Sequence, residues 1–293
     1  MRNRLVLLAA LLAVTAAAAR VNAQPTSPTE PPATPPRRDA SVFIDGVPHV
    51  RQKPDFCGEA CAAMWLGKLV QPVDQDYVFD QSGLDPLLAR GCYTKELAAA
   101  LANMGFKVGP VWHKIPAAKA DESLESLWKK LPADLGAGVP SIVCTRYDER
   151  PTTTEHFRLV LGYDAQSDEV IYHEPAKSEG AYLRMARSKF LSLWPLKYDD
   201  AEWTVILLRL EPGRLEQGRA ATTFTAADYA QHAMKLKPKV PDGFTIVIQP
   251  PFVVLGDESP ARVKERAQGT IKWAADKLKQ GYFQKDPPDV LDI

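Results

Sequence analysis

Residues 47–69 read VPHVRQKPDFCGEACAAMWLGKL, and the reading of this stretch decides the rest. Gln52 is followed by four residues, then Cys57, then a segment with helical spacing. Ala60 and Met64 lie one turn apart, the run 66–69 continues the pattern, and no proline follows Pro54. Cys57 is therefore predicted in the first turn of a helix, where unpaired N–H groups and the positive end of the helix dipole favour a thiolate. Gln52 could aim its amide at an oxyanion formed on a carbonyl that the sulfur attacks. A nucleophile, a donor and a helix N-terminus so close together suit acyl transfer. Taken alone, the stretch fits equally well a cysteine buried as a small hydrophobe and a glutamine in a loop.

The second informative stretch is 155–175, EHFRLVLGYDAQSDEVIYHEP. Two alternating segments flank a turn at 165–168, so a β-hairpin is predicted. If Gly162 faces Val170, then Val160 faces Tyr172 and Arg158 faces Glu174. His156 and Glu174 are then diagonal neighbours on one face, within side-chain reach. A slip of one residue would send Glu174 to the other face. His173 is a rival base, but this register puts it on the opposite face.

The pattern Gln52, then Cys57-Gly58-x-Ala60-Cys61, resembles the bacteriocin-processing peptidases, papain-like cysteine enzymes that cut leader peptides after a double glycine, and above all their free-standing secreted relatives. The likeness spans about 47–211, supported by the cysteine helix, PSIVC at 140–144, the His hairpin, and the close formed by KFLSLW (189–194) and WTVILLRL (203–210). In that family the residue before the nucleophile is usually Asp, whereas here Asp55 comes one place earlier and Phe56 intervenes. The relatives carry Asp-Pro on the strand after the His, where this chain has Glu174-Pro175. The resemblance implies an α+β fold, with N-terminal helices packed on an antiparallel sheet. It also implies Cys57 as nucleophile, His156 as base, Glu174 as the group orienting His156, and Gln52 as oxyanion donor. A peptide or protein substrate is expected, with no cofactor or metal. An idle papain-like module that binds peptides, and acyl transfer to an acceptor other than water, use the same residues and stay open.

The 293 residues carry 36 basic and 36 acidic side chains, so no acidic polymer is implied as partner. Without a basic patch, an RNA-binding signature or zinc-finger spacing, nucleic acid is set aside. Residues 1–23 read as a signal peptide: Arg2 and Arg4, an apolar run over 5–19, and Val21-Asn22-Ala23 as cleavage site. Export to the periplasm or medium is expected, with no integral membrane segment in the mature chain. The proline-rich stretch 24–40 is predicted as an extended linker. Export permits disulfides, but Cys57 and Cys61 lie one turn apart on one helix, a poor pairing geometry. A Cys92–Cys144 bridge stays open.

The peptidase-like domain is assigned to 41–211. Within it come a strand at 41–44, an irregular stretch at 71–89, a helix at 95–104, a strand at 106–111, a helix near 121–135, the strand SIVC at 141–144, the hairpin, a helix at 189–194 and a strand at 203–210. A loose connector, 212–240, is predicted to hold a helix at 225–236. Residues 241–293 read as the truncated start of a second domain. Two strands lie either side of Gln249-Pro250-Pro251, followed by a long helix from Pro260 to Gly281 and an unpartnered strand VLDI. This start resembles the entry to some gluzincin-like metallopeptidase domains, but the chain has no His-Glu-x-x-His. Glu59 and Glu155 read as solvated, Cys61 as core packing, and His49, His113 and His232 as histidines without supporting context.

Overall fold

A computed structural model describes residues 40–69, 73–215, 224–283 and 285–293. The predicted signal peptide and nearly all of the linker lie outside the described residues. In chain order the elements are β1 (Val42–Phe43), α1 (Cys57–Leu69), α2 (Gln75–Asp80), α3 (Thr94–Asn103), β2 (Phe106–Lys107), β3 (Trp112–Pro116), α4 (Ala120–Trp128), α5 (Lys130–Gly136), β4 (Ser141–Arg146), β5 (Glu155–Asp164), β6 (Glu169–His173), β7 (Leu183–Ala186), α6 (Arg187–Leu193), β8 (Glu202–Arg209), β9 (Glu211–Pro212), α7 (Ala226–Leu236), β10 (Thr245–Gln249), β11 (Phe252–Gly256), α8 (Pro260–Arg266), α9 (Lys272–Gly281) and β12 (Leu291–Asp292).

The centre is an antiparallel sheet in the order β3-β8-β4-β5-β6-β7, with β1 added to β5. Helices cover both faces, which makes the fold α+β. Alternation along the central strands divides their side chains between two cores. Ile142, Cys144, Phe157, Leu159, Leu161, Ile206 and Leu208 face α1, α2 and α3. Val143, Val160, Val205 and Leu207 face α4, α5 and α6. α1 is buried on nearly every side from Gly58 to Leu66, because the sheet covers one flank and other helices the rest. The Trp65 indole donates to the carbonyl of Leu210 at 3.2 Å and ties α1 to the end of β8.

The hairpin departs from the predicted register in one respect. Val160 pairs with Tyr172 as expected, but Gly162 pairs with Ile171 rather than Val170. A β-bulge at Leu161 absorbs the extra residue. Gly162 lets β1 lie close, since a Cβ there would come within 2.8 Å of the Val42 carbonyl oxygen. Past the bulge the alternation is reset, so Tyr163 turns into the second core and meets Trp128 edge-on at 5.0 Å.

Other boundaries moved for local reasons. The stretch predicted irregular holds α2, whose N-terminus Asp74 caps by accepting from the Tyr77 N–H at 2.9 Å. Val78 and Phe79 on that short helix are buried. The single helix expected near 121–135 is two, α4 and α5, meeting at Lys129, with Pro132 inside α5. The strand predicted at 106–111 stops at Lys107, and the longer strand is β3, which pairs with β8 along its whole length.

The connector read as loose is in part core. Thr225 caps α7, and Ala227 and Ala230 are wholly buried in the first core. The Ala227 N–H donates to Asp80 at 2.9 Å, so α7 docks on α2. Beyond it, β10, β11 and β12 form a three-stranded sheet. β12, expected to lack a partner, pairs parallel with β11. The helix predicted from 260 to 281 runs as α8, a π-turn over Ala267–Ile271 and α9. Val263 and Ala267 on it are buried against Val254, but Leu278, the end of the predicted apolar stripe, is 48 % exposed.

Candidate active site

The chain enters α1 through a reversal at Asp55, which has φ +58°, a conformation that aspartate tolerates better than most residues. The turn buries Phe56, which stacks on Phe79 at 5.0 Å. It leaves Cys57 as the first residue of α1. Phe56 thus fills core space where the resembled family usually has Asp. The N–H groups of Phe157, Gly58 and Cys57 itself point at the sulfur. Burial nevertheless dominates and pushes the thiol up to about 11, with the Glu59 carboxylate adding to the rise. At neutral pH the resting group is a thiol and needs a base.

The Phe157 N–H places the sulfur at the start of β5, beside the residue that follows His156. His156, Arg158 and Val160 alternate away from α1, toward the face of the sheet that carries α4 to α6. The Nε2–H of His156 donates to Glu174 Oε1 at 2.5 Å, with both side chains buried. Burial alone would raise the Glu174 carboxyl. The hydrogen bond and charge of His156, the charge of Arg158 and the Ala176 N–H together hold it below the usual carboxylate range. As a carboxylate, Glu174 can only accept, so Nε2 carries a proton and Nδ1 is the ring nitrogen not engaged by Glu174.

Arg158 completes this arrangement. Its Nε donates to Glu174 Oε2 at 2.9 Å, and its other nitrogens reach the Thr145 hydroxyl and the carbonyls of Arg146 (3.2 Å) and Tyr147 (2.8 Å). The guanidinium is therefore paired and hydrogen-bonded, which a buried charge requires. Its signal in the sequence was an arginine on the same face of an otherwise apolar strand as His156.

Gln52 lies beside the end of the hairpin, its N–H donating to the Pro175 carbonyl at 2.9 Å. Its Oε1 is buried and unpaired within the structure. His49 contacts the Glu174 carbonyl through Nε2 at 3.0 Å. The rival base His173 is wholly buried with Nδ1 3.2 Å from Met64 Sδ. Burial, with a smaller effect from His49, lowers its pKa to about 4, so it stays neutral.

Glu59, read as solvated, is fully buried in the first turn of α1. Its Oε1 accepts from the Cys92 N–H at 2.7 Å, and burial raises its carboxyl to about 7. The 90–93 loop presses against it so closely that a Cβ on Gly91 would lie 1.9 Å from the Asp55 carbonyl oxygen. Cys61 is core packing at 0 % exposure. Cys92 and Cys144 are free thiols, as are Cys57 and Cys61.

Among the described residues no cluster of His, Cys, Asp and Glu could hold a metal ion, and no helix is long and apolar enough to cross a membrane. No curated protein matches the chain. One similar solved structure is the peptidase domain of Streptococcus ComA, a bi-functional ABC transporter involved in a quorum sensing pathway. It is 20% identical, and the match covers 57% of this chain and 99% of that one with a TM-score of 0.38. The model of the peptidase C39-like family matches residues 44–201, over half of the chain, which therefore belongs to that family.

Proposed function

We propose that this chain is an exported cysteine peptidase. The observation that carries the reading is the buried hydrogen bond from His156 Nε2 to Glu174, at the start of the strand whose next residue, Phe157, turns its N–H to the Cys57 sulfur. His156 takes the thiol proton as the sulfur adds to a peptide carbonyl. The oxyanion is held by Gln52 and the Cys57 N–H. The C–N bond then breaks, His156 gives its proton to the leaving amine, and water hydrolyses the thioester with His156 as base. Glu174 orients the ring and stabilises its charged form, while Arg158 fixes Glu174. The high affinity of the buried sulfur for its proton favours the other reading, an idle peptide-binding module, and one experiment separates the two. A thiol-directed active-site probe is expected to label the full chain, but not its Cys57→Ala variant, and to label His156→Ala far more slowly. Equal labelling of His156→Ala and the parent chain would leave the binding module.

A further inference from the structure

Glu155 heads β5, immediately before His156. Residues 155 and 157 share a face, so its side chain lies on the same side of the sheet as Phe157, whose N–H meets the Cys57 sulfur. Cys144 is directly opposite Phe157 across the β4–β5 ladder. Its sulfur sits 4.0 Å from Glu155 Oε2, and the Cys57 thiol is near enough to act on it. Tyr198, 61 % exposed, brings its hydroxyl toward the same carboxylate. The carboxylate thus lies on the α1 side of the start of β5, beside Cys144, and faces solvent.

No cation neutralises it among the described residues. Arg146 pairs with Glu155 in the ladder, but its guanidinium is turned to the carbonyls of Arg150 at 2.6 Å and Glu149 at 3.4 Å. Lys189 is engaged by Glu149. An isolated charge at a rim contributes little to fold stability and much to the choice of partner.

We propose that Glu155, held by Tyr198, forms a subsite that takes a lysine or arginine side chain of the substrate peptide beside the bond attacked by Cys57. This rests on the peptidase reading, so the test has two arms. In the first, the full chain is treated with a cationic aminoethyl and an anionic sulfonatoethyl methanethiosulfonate, with Cys57→Ala as blank. The cationic reagent should react faster at Cys57, and the ratio of the two rates should fall about tenfold in Glu155→Gln and invert in Glu155→Lys. Tyr198→Phe, which keeps the ring, should reduce the ratio less. A ratio unchanged by both Glu155 substitutions overturns the proposal. In the second arm, peptides with lysine, alanine or glutamate scanned through each position are tested for cleavage. A lysine preference at one position, lost in Glu155→Gln, supports the subsite, and cleavage indifferent to charge at every position overturns it. If no peptide is cleaved, the peptidase reading fails, and the reagent ratio still decides whether Glu155 selects cations at Cys57.

Discussion

Glu174 serves two buried cation-forming partners at once, and the residue-scale expectations follow from that. Arg158→Met should destabilise the fold by about 3–5 kcal/mol, because it leaves a buried carboxylate short of its fixed partner. A lowered urea midpoint with an unchanged slope would show this. Glu174→Gln keeps the volume but not the charge, and should lower turnover roughly ten- to a thousandfold, less than Cys57→Ala or His156→Ala. Equal losses in all three would contradict an orienting role. Glu59 carries the pH expectation. Its carboxyl titrates near 7 when folded against an ordinary 4.5, so the protonated form suits the folded state. The stability this gives is complete below pH 4.5 and is lost as the pH rises through 7, at most about 3 kcal/mol. Glu59→Gln should flatten that fall, and a denaturation series across the range checks it. The depressed carboxyl of Glu174 acts at lower pH, where its contribution disappears on acidification. Sequence alternation was enough to put His156 and Glu174 on one face. It said nothing of Glu59, because a glutamate in a helix's first turn reads as solvated unless the loop that will cover it is known.

At the scale of elements, what could be read was whatever short-range pattern decides. The start of α1, β4, the hairpin, β8 and α7 all follow from spacing and capping residues. What could not be read depends on partners distant in sequence. β3 is a strand because β8 lies beside it, and α2 is a helix with a buried side because α1 and α7 enclose it. The hairpin shows both cases. Its register at Val160 was legible, whereas the bulge was not, since β1 arrives from residues far away to require Gly162. Deleting Leu161 should remove the bulge while Tyr163 stays opposite Val170 and against Trp128, at the cost of a wholly buried side chain of the first core. The expected outcome is a lowered melting temperature with cooperativity kept, measured by thermal unfolding. Phe56→Ala should cost about 3–5 kcal/mol by opening a cavity against Phe79, and a urea titration measures it.

At the scale of the whole molecule, α7 sets how much of the chain the peptidase-like core needs. The domain boundaries read from sequence stopped the core at 211, because 203–210 already completes the sheet. Helix α7 nevertheless buries Ala227 and Ala230 in that same core. A fragment of residues 40–240 should therefore be soluble and reactive toward the thiol probe. A fragment ending at 211 should expose the flank of α2 and aggregate. Equal solubility of both would place the helix outside the core. Two neighbouring side chains on α7 hold two different parts of the protein. Gln231 donates to the Pro54 carbonyl at 3.0 Å, in the turn that leads into Cys57. His232 meets Asp292 at 2.6 Å, on the strand that completes the C-terminal sheet. In mechanical terms the helix is a coupling rod. Whatever pulls on the C-terminal sheet is felt at Pro54, in the turn three residues before Cys57, and amide exchange over 53–56 should quicken in Gln231→Ala while the sheet itself is untouched.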